Sequence, residues 1–263
     1  MARTTHLWRS DELSVHRLDH PADHEDRPYK QIAPAYAASF VEDGAFDLYA
    51  SGDFWRLGRG DVFLRRPGLV YEAGYEHERF TDTCLTVTYL SAEQDGFNRA
   101  HGWTQQRPML RASNRLLYLR WALAHAVAHN QPMLIEHCAS EIFRTEEDAP
   151  QVLFRERKLA WYAERVHAAC ERMNAAFDQE HTISAFAREA GMSVFQFTRV
   201  FAALIGAPPH RYLNDARLRA AASMLADGRS VTDACFACGY NNLSHFSRAF
   251  TRRYGVSPSR YRR

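Results

Sequence analysis

The sequence predicts an α+β chain in two parts: a strand-rich sandwich or barrel with a helical hairpin over residues 1–150, then an all-α domain with two helix-turn-helix units over 157–263. Three observations predict it. Glycine and proline punctuate short apolar segments in the first part, helical periodicity takes over from Asn114, and one glycine-centred helical pattern occurs twice near the end.

Taken in order, Ala35 to Val41, Phe46 to Ala50, Phe54 to Leu57, Asp61 to Arg65 and Cys84 to Leu90 are strand-like segments bounded by turn residues. Thr86 to Leu90 alternates polar and apolar side chains, as a half-buried strand does. The hairpin covers 114–145. Asn114 to His129 places Leu117, Trp121, Leu123, Ala124 and Val127 along one side, and Pro132 to Phe143 forms the second helix. Its apolar side serves the core or a dimer surface. Glu146, Glu147, Asp148, Ala149 and Pro150 mark a linker, so the boundary falls between 146 and 156.

Beyond it, Ile183, Phe186 and Ala187 form the inner side of a short helix, Gly191 permits a tight turn, and Ser193 caps a helix carrying Phe197, Val200, Phe201 and Leu204 inward. The pattern recurs about 48 residues further on. There Val231, Ala234 and Cys235 face inward, Gly239 supplies the turn, and Asn242 or Ser244 starts a helix with Phe246, Ala249 and Phe250 inside. The two units span about 182–206 and about 230–255. Between them Pro209 to Leu225 reads as one helix about 25 Å long. Recognition helices about 34 Å apart enter successive major grooves of DNA, and such a connector plus helix radii supplies that separation.

Charge divides the same way. The net charge of +2 hides 16 Arg and Lys against 8 Asp and Glu from Arg157 onward, and 17 against 23 before it. A domain at +8 favours polyanions, although a solvated basic face alone has the same composition. No stretch approaches the roughly 18 apolar residues of a membrane span, and Met1 to Asp11 lacks an apolar signal core. Five cysteines without a framework pattern suit a reducing compartment. A cytoplasmic protein with free thiols is expected.

Ser193 with Arg199 and Phe201, Tyr212 with Arg217 and Leu218, Gly239 with Tyr240, Ser244 with Phe246 and Arg248, and the ending Tyr254 to Arg262 together resemble the DNA-binding domain of the AraC/XylS family. The likeness runs from about Leu159 to Arg263. It departs from the family at Leu243, where a polar base-reading residue is common, and at Ala234 with Cys235, where a larger aliphatic followed by alanine is usual. The resemblance implies a transcription regulator, not an enzyme, with double-stranded promoter or operator DNA and RNA polymerase as partners, and assembly as a homodimer. Carried over by position, Phe195, Gln196, Thr198 and Arg199 in the first unit and Asn242, Leu243, His245, Ser247 and Arg248 in the second are candidates for base contact. Arg199 and Arg248 can chelate guanine, Gln196 and Asn242 can pair with adenine, Leu243 can touch a thymine methyl, and Arg252 or Arg253 can neutralise phosphate.

The run Phe54 to Leu64 with Pro67 and Gly68 resembles the cupin-like sensor domain common in that family, which implies a β-barrel. If it holds an effector, Tyr36, Phe40, Tyr49, Trp55, Phe63 and Tyr71 are candidates for its mouth, and Arg65 or Arg66 hints at an anion. Each aromatic also reads as plain core. His20 and His24 near Glu25 and Asp26 invite a metal reading, but metal-binding cupins add closely spaced histidines and a glutamate ahead of such a run, and this spacing fits poorly. Cys235 and Cys238 have no second Cys or His pair at zinc-finger spacing and fall where small apolar residues pack. No metal and no cofactor are expected. Three readings stay open: an activator responsive to a small molecule, a cupin-type metal enzyme with an incidental basic tail, and an effectorless regulator acting through protein partners.

Overall fold

The computed structural model describes residues 3–20, 30–74, 81–91, 97, 107–145, 153–179 and 181–261. The chain divides into two units, Met1–Leu159 and Ala160–Arg263. Of the expected linker, 146–152 lies outside the described residues, as do His24, Glu25 and Asp26.

The first unit holds β1 (Arg3–Arg9), β2 (Leu13–His20), β3 (Lys30–Ile32), β4 (Ala37–Ala50), β5 (Asp53–Gly58), β6 (Val62–Arg65), β7 (Val70–Gly74), β8 (Asp82–Tyr89), β9 (Met109–Leu110), α1 (Asn114–Ala128) and α2 (Pro132–Arg144). The segments read as two strands, 35–41 and 46–50, are one. β4 is long enough to serve two sheets: its first half pairs with β8 and β6, its second with β5 and β7. Hydrogen bonding runs β1-β2-β8-β4-β6-β9, with β3 beside β7.

This order ends at β1 and β9, so among the described residues the sheet is open and the expected closed barrel is not formed. Closure requires pairing all the way round. Instead two sheets face each other across one core, where Val41, Phe63, Cys84 and Met109 meet Phe46, Leu48, Leu57 and Tyr71. The buried carboxylate of Asp61 secures the turn before β6. It accepts from the amides of Gly58 at 3.1 Å and Ala112 at 2.8 Å and from Arg111 at 2.9 Å, tying the turn to the approach to α1.

The hairpin covers the other face of the first sheet. Phe143 meets Tyr36 and Tyr89 at ring distances of 6.5 and 5.8 Å, and Arg120 reaches Glu42 at 2.9 Å. In α1 the buried stripe is Leu116, Leu119, Ala122, Leu123 and Ala126. That corrects the expected side: of Leu117, Trp121, Leu123, Ala124 and Val127 only Leu123 is buried. The helix is apolar most of the way round, so periodicity alone does not choose its inner face.

At the end of β2, His20 Nδ1 donates to Asp82 Oδ2 at 3.2 Å. That hydrogen bond raises the His20 pKa above 6.5, outweighing burial, which lowers it. The stabilisation is therefore fully present below pH 6.5 and is lost as pH rises through the folded value. His16 shifts the opposite way, mainly through burial, and acts below 6.5. The thermal midpoint of the first unit should fall as pH rises from 6.5, and His20→Asn should flatten that slope. An unchanged slope in the variant refutes the assignment.

In the second unit α3 (Glu156–Ala175) is followed by α4 (Ile183–Glu189), α5 (Val194–Ile205), α6 (Pro209–Ala226), α7 (Val231–Ala237), α8 (Leu243–Tyr254) and α9 (Pro258–Tyr261). The first turn of α3 precedes the division between the units.

Candidate nucleic-acid interface

Two helix-turn-helix units are built by the same local chemistry. Thr182 caps α4 by accepting from the Ala185 amide, and Ser193 caps α5 by accepting from the Gln196 amide at 3.2 Å. Phe197, Val200, Phe201 and Leu204 are buried, with Phe197 stacked on Phe186 of α4 at 6.4 Å. In the second unit the Ser230 hydroxyl accepts from the Asp233 amide and donates to its carboxylate. Asn242, rather than Ser244, caps α8 by accepting from the His245 amide at 2.9 Å. Met192 alone separates Gly191 from its cap, whereas Tyr240 and Asn241 separate Gly239 from Asn242. The second turn is longer by one residue.

The connector α6 packs into both cores. Tyr212 near its start meets Phe201 at 5.6 Å, while Leu218, Ala221, Ala222 and Leu225 share a cluster with Ala234, Cys235, Phe246 and Phe250. One helix of 18 residues, about 27 Å long, therefore fixes the spacing of α5 and α8. Arg217 in its middle donates to the carbonyls of Phe177 at 2.8 Å and Gln179 at 2.9 Å. Gly239 sits against this loop: a Cβ there would lie 2.6 Å from the Asp178 carbonyl oxygen.

What remains outside is a matched pair of helix rims. Phe195 is 77% exposed, so it does not pack inward, and Arg199 is exposed beside half-buried Thr198. Gln196 is half-buried, its amide donating to the Tyr162 hydroxyl at 3.3 Å. On α8, Leu243, His245, Arg248 and Arg252 are exposed and Ser247 is half-buried. Asn242 is exposed, but its side-chain oxygen is already engaged in the cap. Thr198 and Arg199 correspond to Ser247 and Arg248 across the repeat. Among the described residues Arg199, Arg248 and Arg252 have no carboxylate partner, whereas Glu189 is taken by Arg172. Sequence reasoning did not single out exposed Val194, which stands where Leu243 stands in the second unit.

The cysteines are core. Cys235 and Cys238 are fully buried, Cys238 lies 3.8 Å from the Met224 sulfur, and burial pushes its thiol up to about 11. Among the described residues no group of three or more His, Cys, Asp or Glu gathers, and no helix is long and apolar enough to cross a membrane.

The six aromatics expected at an effector mouth do not converge. Phe63 and Tyr71 meet at 5.0 Å inside the two-sheet core, with Trp55 packed against it. Tyr36 and Phe40 are buried on the hairpin side, Tyr36 stacked on Phe97 at 3.8 Å, and Tyr49 lies against exposed Phe54.

A family profile described as a helix-turn-helix domain matches residues 186–263. The virulence regulon transcriptional activator VirF of Yersinia enterocolitica is 31% identical over 91 residues, 34% of this chain and 34% of its own. The transcriptional activator RhaS of Klebsiella pneumoniae is 29% identical over 231 residues, 83% of this chain and 81% of its own. A solved structure of a probable AraC family transcriptional regulator from Rhodopseudomonas palustris is 28% identical with a TM-score of 0.36, over 37% of this chain and 94% of that one. The chain thus spans about a third of the length of VirF. Its C-terminal tandem helix-turn-helix domain is of the AraC type, similar to those of AraC/XylS transcription regulators.

Proposed function

We propose that the protein is a cytosolic, sequence-specific DNA-binding transcription regulator, an activator that places α5 and α8 in successive major grooves of a promoter. One observation carries this: Thr198 with Arg199 and Ser247 with Arg248 stand at matching rim positions of two helices joined by one rigid connector. A connector of about 27 Å plus helix radii suits the roughly 34 Å between grooves. The names of the relatives, transcriptional activators, favour the same direction of control. In this reading the first unit is the sensing half, its two facing sheets a cupin-like container for a small molecule, the hairpin its dimerisation surface, and RNA polymerase the partner at the promoter.

Selection of bound sequences from a random DNA pool tests it. Wild-type protein should yield a motif with two half-sites. Arg199→Ala and Arg248→Ala should each cost about 1–3 kcal/mol and relax only one half, whereas Arg252→Ala should weaken all sequences alike and flatten the salt dependence. If neither rim arginine alters the motif, the assignment of the recognition helices fails. Light scattering on the same preparation checks the dimer, and a strict monomer refutes that part.

A further inference from the structure

The face of the first sheet that turns to the two-sheet core carries a polar row running from the sheet edge into that core. His6 pairs with His16, His16 with Thr86, Thr86 with Ser39, Ser39 with Phe63, and Phe63 with Met109. Residues directly opposite one another in antiparallel strands share a face, and Phe63 and Met109 belong to the inner core, so the whole row faces inward. Arg65, two residues beyond Phe63, lies on the same face with its guanidinium carbon 5.3 Å from the Phe63 ring centroid.

Among the described residues, four arginines of this unit are half-buried: Arg17, Arg65, Arg115 and Arg120. Arg17 and Arg120 share Glu42, and Arg115 is met by Glu141. Among the described residues Arg65 has no carboxylate. Its Nη2 donates to the Ser39 hydroxyl at 2.6 Å, Ser39 in turn lies 2.7 Å from the Thr86 hydroxyl, and its buried Nε has no partner. Nδ1 of His16 is also buried without a partner. A cation turned from water costs free energy unless an anion meets it, and a guanidinium fork matches the two oxygens of a carboxylate. Burial, then Arg65, then His6 hold the His16 pKa down, so His16 adds no second fixed cation beside Arg65.

We infer that the first unit binds a small organic carboxylate whose oxygens meet Arg65 and the Ser39–Thr86 hydroxyl pair and whose apolar body lies on Phe63. Phe63 continues edge-on into Tyr71 and Phe46, which extends that floor. The row ends at exposed His6 on edge strand β1. This deepens the reading of the first unit as the sensing half by naming the chemical class it senses.

The test uses the full chain, thermal unfolding and titration, with sodium benzoate, sodium hexanoate, benzyl alcohol and inorganic phosphate as probes. Benzoate or hexanoate should raise the wild-type midpoint by mass action, and benzyl alcohol should not. Arg65→Met should unfold without ligand no earlier than wild type, because it removes an unmatched cation, and should lose the carboxylate shift. Thr86→Val, which keeps the arginine, should weaken benzoate about tenfold. The inference is overturned if no carboxylate shifts the wild type, if the shift survives in Arg65→Met, or if that variant unfolds early without ligand. A phosphate shift as large as that of benzoate also overturns the carboxylate assignment. A chain that selects a DNA motif yet ignores carboxylates fails this inference alone, whereas one that selects no motif fails the regulatory reading.

Discussion

Phe250→Ala is expected to destabilise the second unit by about 3–5 kcal/mol, measured by urea unfolding. The side chain is fully buried and sits at the centre of the second helix-turn-helix core, with ring distances of 4.6 Å to Tyr254, 5.2 Å to Tyr261 and 5.6 Å to Phe246. Truncation leaves a cavity bordered by three aromatic rings on α8 and α9, which cannot all collapse onto it without breaking their own contacts. Since whole domains are stable by only about 5–15 kcal/mol, DNA binding should fall with the folded fraction. Phe195→Ala is the control. That ring is 77% exposed, so its loss should leave stability within about 0.5 kcal/mol, whatever it does to DNA affinity. A cost below about 1 kcal/mol for Phe250→Ala shows that α8 is not packed as described.

This core was legible in the sequence because helical packing is local. Phe197, Val200, Phe201 and Leu204 recur at helical spacing, Ser193 precedes them as a cap, and the connector expected over Pro209 to Leu225 is found as Pro209–Ala226. The first unit was harder to read. β1 and β2 place His6, Arg9, His16 and His20 among their apolar residues, and β2 finds its partner far along the chain, Leu13 opposite Tyr89. A strand's alternation says which residues share a face, but not which element covers that face. Hence Tyr36, Phe40, Tyr49 and Phe63 looked equivalent, although they lie on different sides of the sheets. The Arg65 cluster was hidden for the same reason: its members come from separate strands and meet only through register.

Gly44→Ala should destabilise the first unit by about 2–5 kcal/mol, the sum of a left-handed backbone penalty and local overpacking. Gly44 has φ +73°, and a Cβ there would fall 1.7 Å from the Thr81 carbonyl oxygen and 2.8 Å from its carbon. Both are backbone atoms, which cannot swing aside as a side chain can. The position is where β4 leaves its pairing with β8, just past the irregularity between Val41 and Asp43, and passes to β5. The glycine therefore lets one strand serve two sheets, where the sequence suggested a break between two strands. Displacing Thr81 also moves Asp82, so the pH dependence carried by His20 should weaken in the same variant. Gly52→Ala separates the two contributions: φ is +87° there, but nothing lies within 4 Å of an added Cβ, so only about 1–2 kcal/mol should be lost. If the two variants unfold at the same urea concentration, β4 does not approach Thr81 as closely as the fold requires.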